Sequence, residues 1–276
     1  MSEHQMRGIS TGFHEIDRMT KGLCAGNLLV LAGRPSMRKI VLAMNIAEHV
    51  AFTEHLAVGI FLIENDAGEA VSCSIPKTGS KDQVYLSVAA SNATHSDAEC
   101  LIDFDKHSIV HTLHLQKLPS LSLDEFRSKL QLLSQQCGQL GLIVLDSLQQ
   151  ISTATQLGKA GNNANLYNLA NDLKLMAKEF QCPILVLSDL SEKVETRTHK
   201  RPTMKDLRIW GKIDHVADLV FFIYRDDVYN NNSMLPGITE ITLIKNINGY
   251  AGRLLFGFQE IPTRRFVTLH SEANDY

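Results

Sequence analysis

Residues 28–40, LLVLAGRPSMRKI, constrain this chain more than any other stretch. An apolar run breaks at Gly33 into a turn that contains Pro35, and a helix pattern begins at Arg38. That is the frame of a phosphate-binding P-loop, G-x-x-x-x-G-K-[ST], where backbone N–H groups and a helix N-terminus wrap the phosphates and the lysine reaches the outer ones. Gly33 and Lys39 are in register with the motif, with Arg34, Pro35, Ser36 and Met37 between them. Two positions depart from it. Arg38 stands where the second glycine belongs, and Ile40 stands where the magnesium-binding hydroxyl belongs. The glycine is there because the backbone approaches phosphate closely, in torsions that a Cβ disfavours. Arg38 is therefore expected either to close the pocket with its own guanidinium, paired with Glu64 or Asp146, or to swing out and leave a strained loop.

The rest of the chain reads as further strand–helix units. Residues 38–52 carry apolar positions at helical spacing with no breaker. AVGIFLIEN (57–65) and GLIVLD (141–146) are buried strands ending in Glu64 and Asp146. TLHLQ (112–116), PILVLSD (183–189) and DLVFFIY (218–224) are three more. Helices are expected at 122–138, with Ser122 as N-cap, Glu125 completing a capping box and Gly138 at the end, and at 163–180. Alternation of this kind predicts right-handed crossovers and a mostly parallel, twisted sheet with helices on both faces. Residues 240–246, the Asn248-Gly249 turn and 253–259, followed by 265–269, predict added antiparallel strands. Residues 66–110 read as broken helices and loops, and the charged, breaker-rich stretch 190–205 as a long exposed loop. The division expected is a lead at 1–8, one domain at 9–270 and a tail at 271–276.

Composition narrows the classes. A 44% hydrophobic content supports one full α/β core, and a net charge of −3 argues against a generally basic nucleic-acid coat. The 5 cysteines are odd in number, scattered and without a C-x-x-C pair, which fits a reduced, cytoplasmic protein. No apolar run reaches the length of a membrane span, so no membrane partner is expected. His107, His111 and His114 have a metal-like spacing, but it runs into a probable strand, where i and i+3 face opposite ways. Lys193, Arg197, Lys200, Arg201 and Lys205 are interspersed with Glu192 and Glu195, as in a solvated loop.

STGFHEID, AGRPSM, LAMNIA, FLIEN, GLIVLDSLQ, LKLMAKEFQCPILVLSDL, KRPTMKDLR, DHVADLVFFIYRDDVY and ITLIKNING carry a resemblance that covers about Ile9 to Phe266. In these stretches the chain resembles the RecA-like C-terminal motor domain of DnaB-type replicative helicases. The resemblance implies a RecA-like P-loop NTPase fold and an ATP/Mg²⁺ site at residues 33–40. It implies that Glu64 activates water and that Asp146 holds Mg²⁺. It also implies single-stranded DNA contacts at Arg208 and Gly211, with Trp210 placed to stack a base. The chain departs from the family at Asp189, where a glutamine is expected, and at Ile247, where a Lys-x-Arg pair beginning at Lys245 would send an arginine finger into a neighbouring subunit. Residues 1–8 hold no counterpart of the family's collar and linker helix, which allows a homo-oligomer and disfavours a closed hexamer.

Three readings follow. In the first, a helicase-motor homologue with impaired catalysis acts in DNA replication by binding a replicative helicase or another replication protein. In the second, it is a working ATP-dependent helicase that moves along single-stranded DNA, supported by Lys39, Glu64, Asp146 and Lys245. A RecA-fold scaffold outside replication is a third.

Overall fold

The computed structural model describes residues 8–63, 71–76, 83–88, 99–101, 113–118, 120–154, 162–208, 212–259 and 265–269. The strands are β1 (Leu28–Gly33), β2 (Ala57–Ile63), β3 (Val71–Pro76), β4 (Gln83–Val88), β5 (Glu99–Leu101), β6 (Leu113–Leu118), β7 (Leu140–Asp146), β8 (Ile184–Asp189), β9 (Leu219–Tyr224), β10 (Ile238–Asn246), β11 (Gly252–Gln259) and β12 (Arg265–Thr268). The helices are α1 (His14–Thr20), α2 (Lys39–Phe52), α3 (Leu123–Cys137), α4 (Leu148–Ala154), α5 (Asn162–Glu179), α6 (Met204–Arg208) and α7 (Ile213–Val216).

The main sheet has 10 strands in the order β12-β11-β10-β9-β1-β8-β7-β2-β6-β5. From β9 to β6 every neighbouring pair is parallel, while β10, β11, β12 and β5 add antiparallel edges. Strands buried on both faces must be apolar throughout, and β1, β2 and β9 are buried at every residue. The period-2 alternation of side chains then divides the core in two. Leu29 and Leu31, with Leu185, Leu187, Phe221 and Ile223, face α1 and α2. Leu28, Val30 and Ala32, with Ile184, Val186 and Phe222, face α3, α4 and α5.

The expected strand–helix alternation and the C-terminal antiparallel strands are present. The capping box of α3 is complete: Glu125 N–H donates to Ser122 Oγ at 3.2 Å, and Ser122 N–H donates to Glu125 Oε2 at 2.9 Å. Gly138 ends that helix with a φ of 76°.

Two expectations are corrected. Where residues 66–110 are described they form strands: β3 and β4 make an antiparallel hairpin and β5 pairs with β6. Small polar residues in VSCSIP and QVYLSV masked the Val, Ile and Tyr that favour extended backbone. The stretch 190–205 is anchored rather than simply exposed. Leu190 and Val194 are buried at 1% and 0% exposure, and a 3-10 turn spans Glu192–Val194.

Candidate nucleotide site

The C-terminal ends of four parallel strands lie side by side in the order β1, β8, β7, β2. Gly33 pairs with Asp189, and Asp146 with Leu62, one residue before the end of β2. The P-loop and two carboxylates therefore share one edge of the sheet, at the place where open α/β folds bind ligands. Glu64 follows β2 but lies outside the described residues.

The loop is built tightly. A Cβ on Gly33 would fall 2.6 Å from Ile223 Cγ2 and 3.0 Å from the Ile223 carbonyl oxygen, so only glycine lets β1 end there against β9. Pro35 and Ser36 are exposed at the tip, while Met37 turns inward and is buried in the core. Ser36 and Arg38 have φ of 66° and 65°, a left-handed conformation that residues with a Cβ disfavour. Arg38 is the N-cap of α2 and has no side-chain cap bond.

Glu64, one partner in the first expectation, lies outside the described residues, and the left-handed backbone of the second is present at Arg38. Its guanidinium Cζ lies 3.6 Å from the centroid of the Phe258 ring, a cation–π contact with β11. β11 is three strands to one side of β1, whereas Asp146 closes β7, two strands to the other side. The contact with Phe258 thus lies on the side of β1 opposite to β7.

The other two loop cations meet carboxylates. Lys39 Nζ donates to Asp189 Oδ1 at 2.7 Å, to the Gly33 carbonyl at 3.0 Å and to the Arg34 carbonyl at 3.3 Å. An ammonium has three donors, and all three are used. Arg34 Nε donates to Glu195 Oε1 at 2.8 Å, and its Nη1 donates to the Leu190 carbonyl at 2.8 Å. Burial and the adjacent Glu195 raise the Tyr229 phenol above its usual range, which places that ring in the same cluster. Gln149 holds the Asp189 backbone from the far side: its Nε2 donates to the Asp189 carbonyl at 3.2 Å and its Oε1 accepts from Asp189 N–H at 3.4 Å. Glu195, Gln149 and Tyr229 are partners that no sequence motif announced.

The fit to a bound nucleotide is uneven. Strand, left-handed turn and the amides at the start of α2 suit a phosphate group. The donor set for a divalent cation is poorer, since Ile40 packs against the apolar core and offers no hydroxyl. Among the described residues no cluster of three or more His, Cys, Asp or Glu could hold a metal ion.

Lys245 and the residues that the resemblance assigned to DNA lie further along the chain. Lys245 Nζ turns into its own chain and donates to the carbonyls of Asp214, His215 and Ala217 at 2.7, 3.3 and 2.6 Å, at the end of α7. Ile247 is 57% exposed beside it. Arg208 ends α6, and Trp210 and Gly211 lie outside the described residues. Two of the nearby cations are committed internally. Arg197 makes two bonds to Asp206, at 3.2 and 2.9 Å, and Arg201 makes two to Glu240, at 2.9 and 2.7 Å. Lys200 lies 5.1 Å from the Tyr229 ring. Burial, with help from the Asp226 carboxylate, pushes the Tyr224 phenol up to about 12. His114 meets Cys137 Sγ at 3.2 Å, and the other two histidines of that spacing are outside the described residues. No helix among the described residues is long and apolar enough to cross a membrane.

Comparison with known proteins agrees with this fold. The family model for the DnaB-like helicase C terminal domain matches residues 8–267. The chain is 35% identical to the replicative DNA helicase DnaB of Geobacillus stearothermophilus over 98% of its length and 59% of that protein's. It is 34% identical to the replicative DNA helicase DnaC of Bacillus subtilis over 97% and 58%. It thus spans a little over half the length of the curated relatives it matches. Among solved structures, an ATPase domain superposes with a TM-score of 0.74 at 23% identity, covering 97% of this chain and 93% of that one. A DnaB-like replicative helicase, from a structure that also concerns its interactions with primase, superposes with a TM-score of 0.73 at 24% identity, covering 97% and 65%.

Proposed function

The chain belongs to the DnaB-like helicase C-terminal domain family, and from that premise we propose that it is a replication protein whose ATP site no longer supports efficient hydrolysis. It acts by engaging a replicative helicase or another replication partner. The observation that carries this reading is the Lys39–Asp189 ion pair at 2.7 Å, which satisfies the phosphate-binding lysine from within.

Other features support it. ATP phosphates would be held by the backbone of residues 33–39 and by Lys39, and Mg²⁺ by Asp146, with water activated by Glu64. Ile40 cannot add a metal-binding hydroxyl. Ile247 cannot supply the positive charge that an arginine finger contributes, worth about 10³–10⁵ in rate in phosphoryl transfer. Ile247 is exposed and Lys245 is turned inward, where the family resemblance called for cations reaching outward.

Steady-state ATP turnover with and without single-stranded DNA tests the reading, with a hexameric DnaB-type helicase as reference. The expected rate lies far below the enzyme median of about 10 s⁻¹. The expected behaviour in sedimentation is co-migration with the reference helicase. Turnover near that median would instead establish the second reading, an ATP-dependent helicase on single-stranded DNA. The observation in its favour is the intact strand–turn–helix geometry around Lys39.

A further inference from the structure

Lys39 and Asp189 are 150 positions apart in sequence and are joined because Gly33 and Asp189 are register partners on β1 and β8. The lysine side chain is 11% exposed and the aspartate 44%. The carboxylate therefore stands at the mouth of the loop with the ammonium behind it. Its backbone has little freedom. Gln149 bonds the Asp189 carbonyl on one side, and on the other the Leu190 N–H donates to the Gly33 carbonyl at 3.4 Å while Arg34 holds the Leu190 carbonyl.

In a P-loop the lysine reaches the β- and γ-phosphates. The Asp189 carboxylate, 2.7 Å from the ammonium, takes one of its three donors with an anionic oxygen, as a terminal phosphate would. From this geometry we infer that the site takes a nucleoside diphosphate in preference to a triphosphate, with the Asp189 carboxylate in the place of the terminal phosphate. This deepens the proposed function and rests on it for the identity of the ligand.

The charge count points the same way. For a diphosphate, Lys39 can exchange a loop carbonyl for a phosphate oxygen and keep Asp189. A triphosphate sets its terminal group against that carboxylate, and like charges in contact repel. Of the neighbouring cations, one is already in an ion pair and the other lies against a ring. Arg34 is paired with Glu195, a second carboxylate at the loop, and the Arg38 guanidinium stacks on Phe258.

Calorimetric titration of the full chain with ADP and with a non-hydrolysable ATP analogue, each with and without Mg²⁺, tests the assignment. The expected result is ADP binding tighter by about tenfold or more, with Asp189→Asn narrowing or reversing the ratio. Asp189→Gln serves as a second variant, and circular dichroism checks that both are folded. Analogue binding as tight as ADP in the parent chain, in either Mg²⁺ condition, would overturn the inference, as would a ratio unchanged in both variants. Failure of ADP to bind would also overturn it, yet would leave the non-hydrolysing partner-binding reading intact, since that one rests on turnover and co-sedimentation.

Discussion

Arg34, Arg38 and Lys39 place three cations within the six residues after Gly33, and the fold gives each a partner of its own. An isolated P-loop of this composition would be a strong anion trap, so the matching carboxylates and ring decide how much attraction is left. The same logic applies to Lys245. Its ammonium covers three carbonyls at the end of α7, where an uncapped helix end carries partial negative charge. Lys245→Met is expected to lower stability by about 1–3 kcal/mol, because those partly buried carbonyls lose a charged donor. A urea midpoint unchanged by the substitution would return Lys245 to a purely intersubunit role.

Among the elements, α3 is the one whose sequence states its own beginning and end. Ser122→Ala is expected to cost about 1 kcal/mol, by removing the N-cap acceptor. The Ser122 backbone N–H, then its hydroxyl, hold the Glu125 carboxyl below its ordinary value. The sign follows directly. A carboxylate depressed in the folded state stabilises fully above its unfolded pKa, and this is lost as pH falls through the folded-state value. The cost of Glu125→Ala should thus be measurable at pH 7 and fade in acid below about pH 4. Denaturant titrations at the two pH values check this, and an equal cost at both would remove the capping interaction as its cause. The β3–β4 hairpin shows the opposite case. Its few branched residues are diluted by Ser and Cys, and residues 77–82 between its strands are longer than a two-residue turn.

Across the whole molecule, segments far apart in sequence meet. Phe13 precedes α1 and Phe256 lies on β11, yet their rings pack edge to face with centroids 5.4 Å apart. Arg265 on β12 pairs with Glu48 of α2 at 2.7 Å, and Phe266 N–H donates to Asn45 Oδ1 at 3.0 Å. The antiparallel edge is therefore part of the core under α2. Phe256, at 0% exposure, reports on that unit. Phe256→Ala is expected to cost about 3–5 kcal/mol, a large part of a typical domain stability of about 5–15 kcal/mol. A shift in the urea midpoint with unchanged slope would show it, and a cost below about 1 kcal/mol would mean that the edge folds separately.

The sequence by itself determined the element types near the site, the P-loop frame and its departures at Arg38 and Ile40, the strand-end carboxylate Asp146 and the family. Those features are local, since backbone periodicity, turn chemistry and motif spacing are written within a few residues. What the charges do depends on how the chain packs. Sheet order brings Asp189 to Lys39 and Glu195 to Arg34, across 150 and 161 positions. It also carries the guanidinium of Arg38 onto Phe258 and turns Lys245 inward onto α7. An ion pair depends on which strand ends become neighbours, and that follows from packing two apolar faces over the whole sheet, which no short stretch of sequence encodes.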